Sequence, residues 1–186
     1  HNINISKTAR YFLLGDLNES TKSIWYVLHG YGQSAQSFIS YFQKAHLKNQ
    51  CIIAPEGLSR FYEKGAYGEV VASWMTKEDR LNEISDYVNY LDLLSENIKK
   101  TSPNSTINIL GFSQGVATAS RWATQGKVKV DKLVLWAGEL HPELNWNTLK
   151  NNVPAKNTHF VYGLNDPFIR PENIKQFKDL ILEKKY

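Results

Sequence analysis

Short apolar runs alternate along the chain with longer stretches in which apolar residues recur every three or four positions. The short runs predict six strands, and the longer stretches predict amphipathic helices, the clearest at residues 81–98. Strands that alternate with helices are typical of an α/β protein with a largely parallel sheet. The predicted strands are residues 11–14, 24–29, 51–54, 106–110, 133–137 and 158–162.

The segments between the strands are of two kinds. Further helices are predicted at residues 35–45, from residue 116 onward, and at residues 171–183. Two stretches, residues 57–68 and 141–154, show no clear period and are predicted to be irregular. Each follows a strand, so we expect each to overhang the edge of the sheet where open α/β folds bind ligands.

Composition and charge narrow the class of protein. At 186 residues the chain is expected to form one domain, residues 1–186, since domains average about 150 residues. Its 22 basic and 18 acidic residues are interleaved, which predicts no nucleic-acid partner because no basic stripe forms. No apolar run approaches the roughly 20 residues that span a bilayer, and no signal-peptide pattern opens the chain. We therefore expect a cytoplasmic protein without a membrane span.

Residues 111–115, with the sequence G-F-S-Q-G, are the strongest chemical signal in the chain. They fit G-x-S-x-G, the tight turn between a strand and a helix that exposes a nucleophilic serine, here Ser113. The two glycines are expected because side chains at these positions would collide with neighbouring backbone. The alternative is a glycine-flanked surface turn with an idle serine.

Residues 29–32, with the sequence H-G-Y-G, directly follow a predicted strand. Acyl transfer needs two backbone N–H groups aimed at the developing oxyanion, one from such a loop and one from the residue after the nucleophile. This predicts the amides of Tyr31 and Gln114 as the oxyanion hole. A rival interpretation is dinucleotide binding, because residues 30–35 also match G-x-G-x-x-A and Glu56 follows the next strand as a ribose-binding acid would.

Residues 163–167, with the sequence G-L-N-D-P, follow the last predicted strand. An acid at this point lies at the same sheet edge as the serine, where it could orient a histidine and stabilise the imidazolium. Asp166 is therefore the predicted catalytic acid, with Glu139 as the substitute at the end of the preceding strand. The alternative is a simple turn, because Asn, Asp and Pro are all turn residues.

Together the three motifs resemble the phospholipase/carboxylesterase branch of the α/β-hydrolase superfamily, which includes acyl-protein thioesterases. The resemblance implies an α/β-hydrolase fold, with helices on both faces of a mostly parallel central sheet. It also implies hydrolysis of a small-molecule or lipid-like ester or thioester without a metal or organic cofactor. The sequence itself shows no metal-ligand spacing among its histidines and cysteine. Trp74 occupies the place of a tryptophan beside the acyl pocket; the alternative is an aromatic that packs a long loop onto the core.

One component of the catalytic triad is missing from its usual place. This fold orders its triad Ser, Asp, His, yet no histidine follows Asp166 within the 186 residues. His141 is the weaker substitute, since it could reach the right edge but precedes the acid. We therefore expect the final strand and the catalytic histidine to follow Tyr186 in a longer protein. The predicted function is ester hydrolysis through an acyl-enzyme on Ser113, and the alternative is a non-catalytic binding protein of the same fold.

Overall fold

The computed structural model describes residues 1–141, 143–163, 166 and 171–184. Within these residues the chain forms strands and helices in alternation, and no helix there combines the length and the apolar character needed to cross a bilayer. The strands are β1 (Tyr11–Leu14), β2 (Ser23–Leu28), β3 (Gln50–Pro55), β4 (Ser59–Lys64), β5 (Tyr67–Ser73), β6 (Thr106–Phe112), β7 (Lys132–Trp136) and β8 (Thr158–Val161). The helices are α1 (Ala35–Ser40), α2 (Arg80–Thr101), α3 (Gln114–Gln125), α4 (Trp146–Asn152) and α5 (Pro171–Glu183).

The main sheet contains all six strands that the hydrophobic pattern predicts. Its order is β1-β3-β2-β6-β7-β8, with β1 antiparallel to β3 and every other neighbouring pair parallel. The prediction of a mostly parallel sheet is confirmed. Because parallel strands end at the same edge, the segments after β2, β6, β7 and β8 share one side of the molecule.

Two apolar cores lie on opposite faces of this sheet, because successive side chains of a strand point to opposite faces. In β2, Ile24, Tyr26 and Leu28 face one core, which α2, α3 and α4 cover. Val27 faces the other core, which α1 covers through Ala35, Phe38 and Ile39. The strands β2 and β6, which lead into the candidate motifs, therefore lie between α1 on one face and α2, α3 and α4 on the other.

The structure corrects the predicted elements in three places. Residues 57–68 were expected to be irregular, but β4 and β5 form an antiparallel hairpin there, on which only one end is buried. Residues 141–154 contain α4, whose first turn is capped by the side chain of Asn145 accepting from Thr148 N. The helix predicted at 35–45 ends at Ser40 and continues as turns. Mostly exposed or very short elements bury too little apolar surface to show a clear period.

Candidate active site

Ser113 occupies the junction between β6 and α3 in a strained backbone conformation. Its dihedral angles are φ 53° and ψ −117°, and its amide donates to Trp136 O at 2.9 Å. A non-glycine residue at positive φ costs on the order of 1–3 kcal/mol and persists only where the surrounding structure enforces it. Such strain clusters at functional sites, and here it sets the serine at the carboxyl edge of the sheet.

Three glycines allow the backbone to approach this turn closely. A Cβ at Gly111 would lie 2.2 Å from Gly115 O, and a Cβ at Gly115 would lie 2.2 Å from Leu28 O. The two motif glycines are therefore required by sterics, as the sequence predicts. Gly138, which the sequence analysis did not single out, has the same function, since its Cβ would lie 2.3 Å from Ser113 O.

The loop after β2 approaches the serine directly. A Cβ at Gly30 would lie 3.1 Å from the Cβ of Ser113. The turn is held by Gly30 N, which donates to Gln33 Oε1 at 2.7 Å, and by Gly32 N, which donates to Ala72 O at 3.0 Å. The loop is thus fixed to itself and to β5 while it lies against the serine.

The two predicted oxyanion donors, the amides of Tyr31 and Gln114, have no acceptor among the described residues. The amide of Gln114 is at the first position of α3, where an N–H group has no acceptor within the helix. An oxyanion hole needs such preorganised, unoccupied donors.

The buried ring of His29 fixes the same loop by hydrogen bonds. Its ring is fully buried, its Nε2 accepts from Gly57 N at 3.0 Å, and its Nδ1 lies 2.7 Å from Gly30 O. These partners assign the proton to Nδ1, which donates to the carbonyl. Burial lowers the pKa of His29, more than the Gly30 carbonyl and Glu56 raise it. With both nitrogens engaged, His29 positions the loop rather than acting as a general base.

The side chain of Gln114 has a structural part that the sequence analysis did not assign to it. Its Oε1 accepts from Trp74 N at 3.0 Å, and its Nε2 donates to Met75 O at 2.8 Å and to Ser73 Oγ at 3.2 Å. The amide group therefore binds the segment after β5 to the start of α3. Only the fold shows this contact, because 39 to 41 residues separate the partners.

Trp74 lies in the core with only 1% of its surface exposed. Its ring stacks on His29 with centroids 5.1 Å apart, and its Nε1 donates to His29 O at 2.9 Å. This position favours the packing alternative, in which the tryptophan fixes the segment after β5 against the oxyanion loop. Its role as a pocket wall stays a prediction.

The predicted acid follows the carboxyl end of β8, two strands away from β6 in the sheet. Asp166 is partly buried, and its amide donates to Gly163 O at 3.3 Å, which closes a turn. Leu164, Asn165 and Pro167 of the same motif lie outside the described residues. Asp166 and the substitute acid Glu139 both follow strands at the serine's edge of the sheet, and their catalytic roles stay predictions.

No histidine is hydrogen-bonded to Ser113 among the residues that the structure describes. His46 Nε2 contacts Gln50 O at 3.0 Å, and His159 is exposed on β8. His141 is 6% exposed, and burial together with the charge of Arg121 lowers its pKa to about 4. An imidazole with such a low pKa is a weak general base.

The dinucleotide interpretation depends on Glu56, whose environment does not fit a ribose-binding acid. Its carboxylate is 2% exposed and accepts from Arg10 Nε at 2.5 Å, Arg10 Nη2 at 3.1 Å and Ala35 N at 3.3 Å. Both oxygens therefore hold the chain's own groups, and the carboxylate stabilises the start of α1. No cluster of three or more metal-ligating side chains occurs in the described ranges.

Comparison with known protein families gives a match over nearly the whole length of the chain. A profile of the phospholipase/carboxylesterase family matches residues 18–184. The chain belongs to this family. Comparison with curated protein sequences finds no match.

Solved structures similar to this phospholipase/carboxylesterase family member show the same α/β-hydrolase fold. Acyl-protein thioesterase 2 from Zea mays is 18% identical, with a TM-score of 0.58 over 95% of this chain and 99% of that chain. A carboxylesterase from Bacillus cereus is 13% identical, with a TM-score of 0.61 over 95% and 80%. A phospholipase/carboxylesterase from Dyadobacter fermentans is 14% identical, with a TM-score of 0.56 over 97% and 100%.

Proposed function

We propose that the protein hydrolyses carboxylic esters or thioesters through an acyl-enzyme on Ser113. The Ser113 Oγ attacks the carbonyl carbon while its proton passes to a general base, and the resulting oxyanion accepts hydrogen bonds from the amides of Tyr31 and Gln114. Collapse of this intermediate expels the alcohol or thiol, which takes the proton from the base. Water activated by the same base then releases the acid and frees the serine.

The observation that carries this proposal is the strained serine, together with two nearby amides that donate to none of the described residues. A turn that served only to connect β6 and α3 would have no reason to hold a serine at φ 53°. The close approach of Gly30 to the Cβ of Ser113 supports a role for the next residue, Tyr31, as an oxyanion donor. In this proposal Asp166 orients the histidine that acts as the base.

The general base is the component for which the described residues offer no hydrogen-bonded candidate at Ser113. This observation favours the second candidate function, a binding protein that retains the elbow without turnover. The two functions differ in one chemical respect. A serine that lacks only its base still has its oxyanion hole, so a base supplied from solution should activate it.

The deciding experiment is labelling of the 186-residue chain by a fluorophosphonate probe, with and without added imidazole. We expect imidazole to accelerate labelling at least about tenfold, with the adduct at Ser113 by mass spectrometry. Ser113→Ala should abolish the adduct, while Ser85→Ala, an exposed serine on α2, should not change it. Rapid labelling without imidazole would place a base in the chain itself. No labelling under either condition would contradict the hydrolase proposal.

The same pair of variants tests turnover of nitrophenyl esters. Where the parent protein, alone or with imidazole, releases nitrophenol, Ser113→Ala should lower the rate by about 10³-fold or more with an unchanged circular dichroism spectrum. Ser85→Ala should keep the parent rate. A Ser113→Ala protein that retained a tenth of the activity would show that another group is the nucleophile.

A further inference from the structure

A cluster of hydrogen-bond donors lies beside the candidate site, and the proposed mechanism does not use it. Its centre is Arg121 on α3, only 5% exposed, whose Nη1 donates to Tyr87 Oη at 3.3 Å and contacts Met75 Sδ at 3.4 Å. No carboxylate lies within 4.0 Å of this guanidinium among the described residues. The charge of Arg121 interacts with Glu143 only beyond that distance. A buried charge without a close counter-ion is costly, and such charges are normally paired.

His141 is the second and independent observation. Its side chain is more than nine-tenths buried, and neither Nδ1 nor Nε2 has a hydrogen-bond partner among the residues that the structure describes. Burial first and then the charge of Arg121 lower the pKa of His141, an effect that Glu143 partly opposes and Arg80 reinforces. Leaving a buried donor and acceptor unpaired costs on the order of 1–3 kcal/mol each. A buried polar ring without partners is therefore unexpected in a region that serves only for packing.

The free groups of the cluster are almost all donors. Nε and Nη2 of Arg121 donate to no described residue, and the Tyr87 hydroxyl accepts from Arg121 without donating in turn. Neutral His141 adds one N–H group. A carboxylate has only acceptors, and the edge of a guanidinium presents two parallel donors that match it.

The cluster adjoins the elbow through Met75. The carbonyl of Met75 accepts from Gln114 Nε2, and its sulfur contacts Arg121. Arg121 follows Gln114 by seven residues on α3, which places it about 10 Å along the helix axis. His141 follows Gly138, which packs on Ser113 O. The cluster is thus linked to the elbow through Met75 and through the segment from Gly138 to His141.

We propose that Arg121, Tyr87 and His141 bind a carboxylate of the substrate, so that this enzyme prefers esters that carry a second, anionic group. The preference for anionic esters rests on the proposed hydrolysis at Ser113, whereas the binding of a carboxylate does not. The exposed ion pair between Arg80 and Glu143 borders the cluster. Because exposed ion pairs contribute little stability, an incoming carboxylate can displace Glu143 and reach the buried donors.

Binding is tested without turnover by using the Ser113→Ala protein as the parent. Isothermal titration calorimetry at pH 7 should show saturable binding of glutarate and none of its neutral analogue glutaramide. Arg121→Gln should weaken glutarate binding at least about tenfold, because it removes the charge and the paired donors. Lys127→Gln, a change at an exposed cation elsewhere on the molecule, should leave the affinity unchanged.

His141→Leu keeps the test decisive if Arg121→Gln does not fold. Leucine removes two unpaired buried nitrogens, so this variant should melt at a higher temperature than its parent and still bind glutarate at least about fivefold more weakly. Unchanged glutarate affinity in His141→Leu, or equal binding of glutarate and glutaramide by the parent, would overturn the site. Glutarate binding by a protein that hydrolyses no ester would refute only the proposed function.

Discussion

At the scale of single residues, Ser113 combines a strained backbone with a position at the candidate site. Its φ of 53° lies where glycine is comfortable and other residues are not. The surrounding contacts enforce it, since Gly115 and Gly138 pack against neighbouring backbone on both sides of the turn. The strained backbone therefore lowers the free energy of unfolding while it holds the Ser113 hydroxyl at the sheet edge. Removing the Cβ of Ser113 should raise that free energy again.

We predict that Ser113→Gly is more stable than Ser113→Ala by up to about 2 kcal/mol in urea unfolding. Glycine relieves a strain of about 1–3 kcal/mol but gains about 1 kcal/mol of conformational freedom when unfolded. The same comparison at Ser85, inside α2, should have the opposite sign, with glycine about 1 kcal/mol less stable than alanine. The same sign at both positions would contradict a strained elbow.

At the scale of elements, the Gln114 side chain couples α3 to the segment that follows β5. It accepts from the amide of Trp74 and donates to the carbonyl of Met75, which Ser73 Oγ also contacts. Ala72 O of β5 in turn accepts from Gly32 in the loop after β2. The turn at Ser113, the loop after β2 and the hairpin are thus linked by hydrogen bonds. A change in the Gln114 side chain should therefore alter both the position of the Gln114 backbone amide and the free energy of unfolding.

We predict that Gln114→Ala lowers the free energy of unfolding by about 1–3 kcal/mol, because it leaves the buried amide of Trp74 without its acceptor. The backbone amide remains, so any loss of probe labelling at Ser113 would report displaced geometry, for which a shift near 1 Å can cost about 10²-fold. Gln125→Ala, at the exposed end of the same helix, serves as the control and should change neither quantity. Equal effects of the two substitutions would argue against the coupling.

At the scale of the whole molecule, two buried histidines make stability depend on pH. Burial lowers the pKa of both His29 and His141, the latter to about 4, whereas an unfolded histidine titrates near 6.5. Between these values the unfolded chain binds more protons than the folded one. The free energy of unfolding must therefore fall as the pH decreases from about 6.5 towards 4.

We predict that unfolding in urea at pH 5 requires about 1–2 kcal/mol less free energy than at pH 7.5 through His141 alone. His141→Leu should remove that part of the pH dependence, whereas His159→Gln, on the exposed side of β8, should retain it. If His141→Leu showed the parent's full pH dependence, the titrating groups would lie elsewhere.

Local patterns determined the elements of the sheet and the elbow from sequence alone. A strand that ends in G-x-S-x-G predicts the tight turn directly, because only glycine at positions 111 and 115 allows the close approaches that the structure shows. The same holds for the central strands β2, β3 and β6, whose apolar runs reflect burial on both faces. The hairpin of β4 and β5 and the short α4 escaped detection because exposed or short elements leave little hydrophobic period.

Tertiary structure alone decided which distant side chains meet. The bonds of Gln114 to residues 73–75, the capture of Glu56 by Arg10 and the donor cluster around Arg121 and His141 join positions far apart in the chain. No local spacing encodes them, since they depend on strand order and on how α2 and α3 pack. The sequence determined that a serine elbow would form; the fold determined what surrounds it, because partners, burial and charge are properties of the packed molecule.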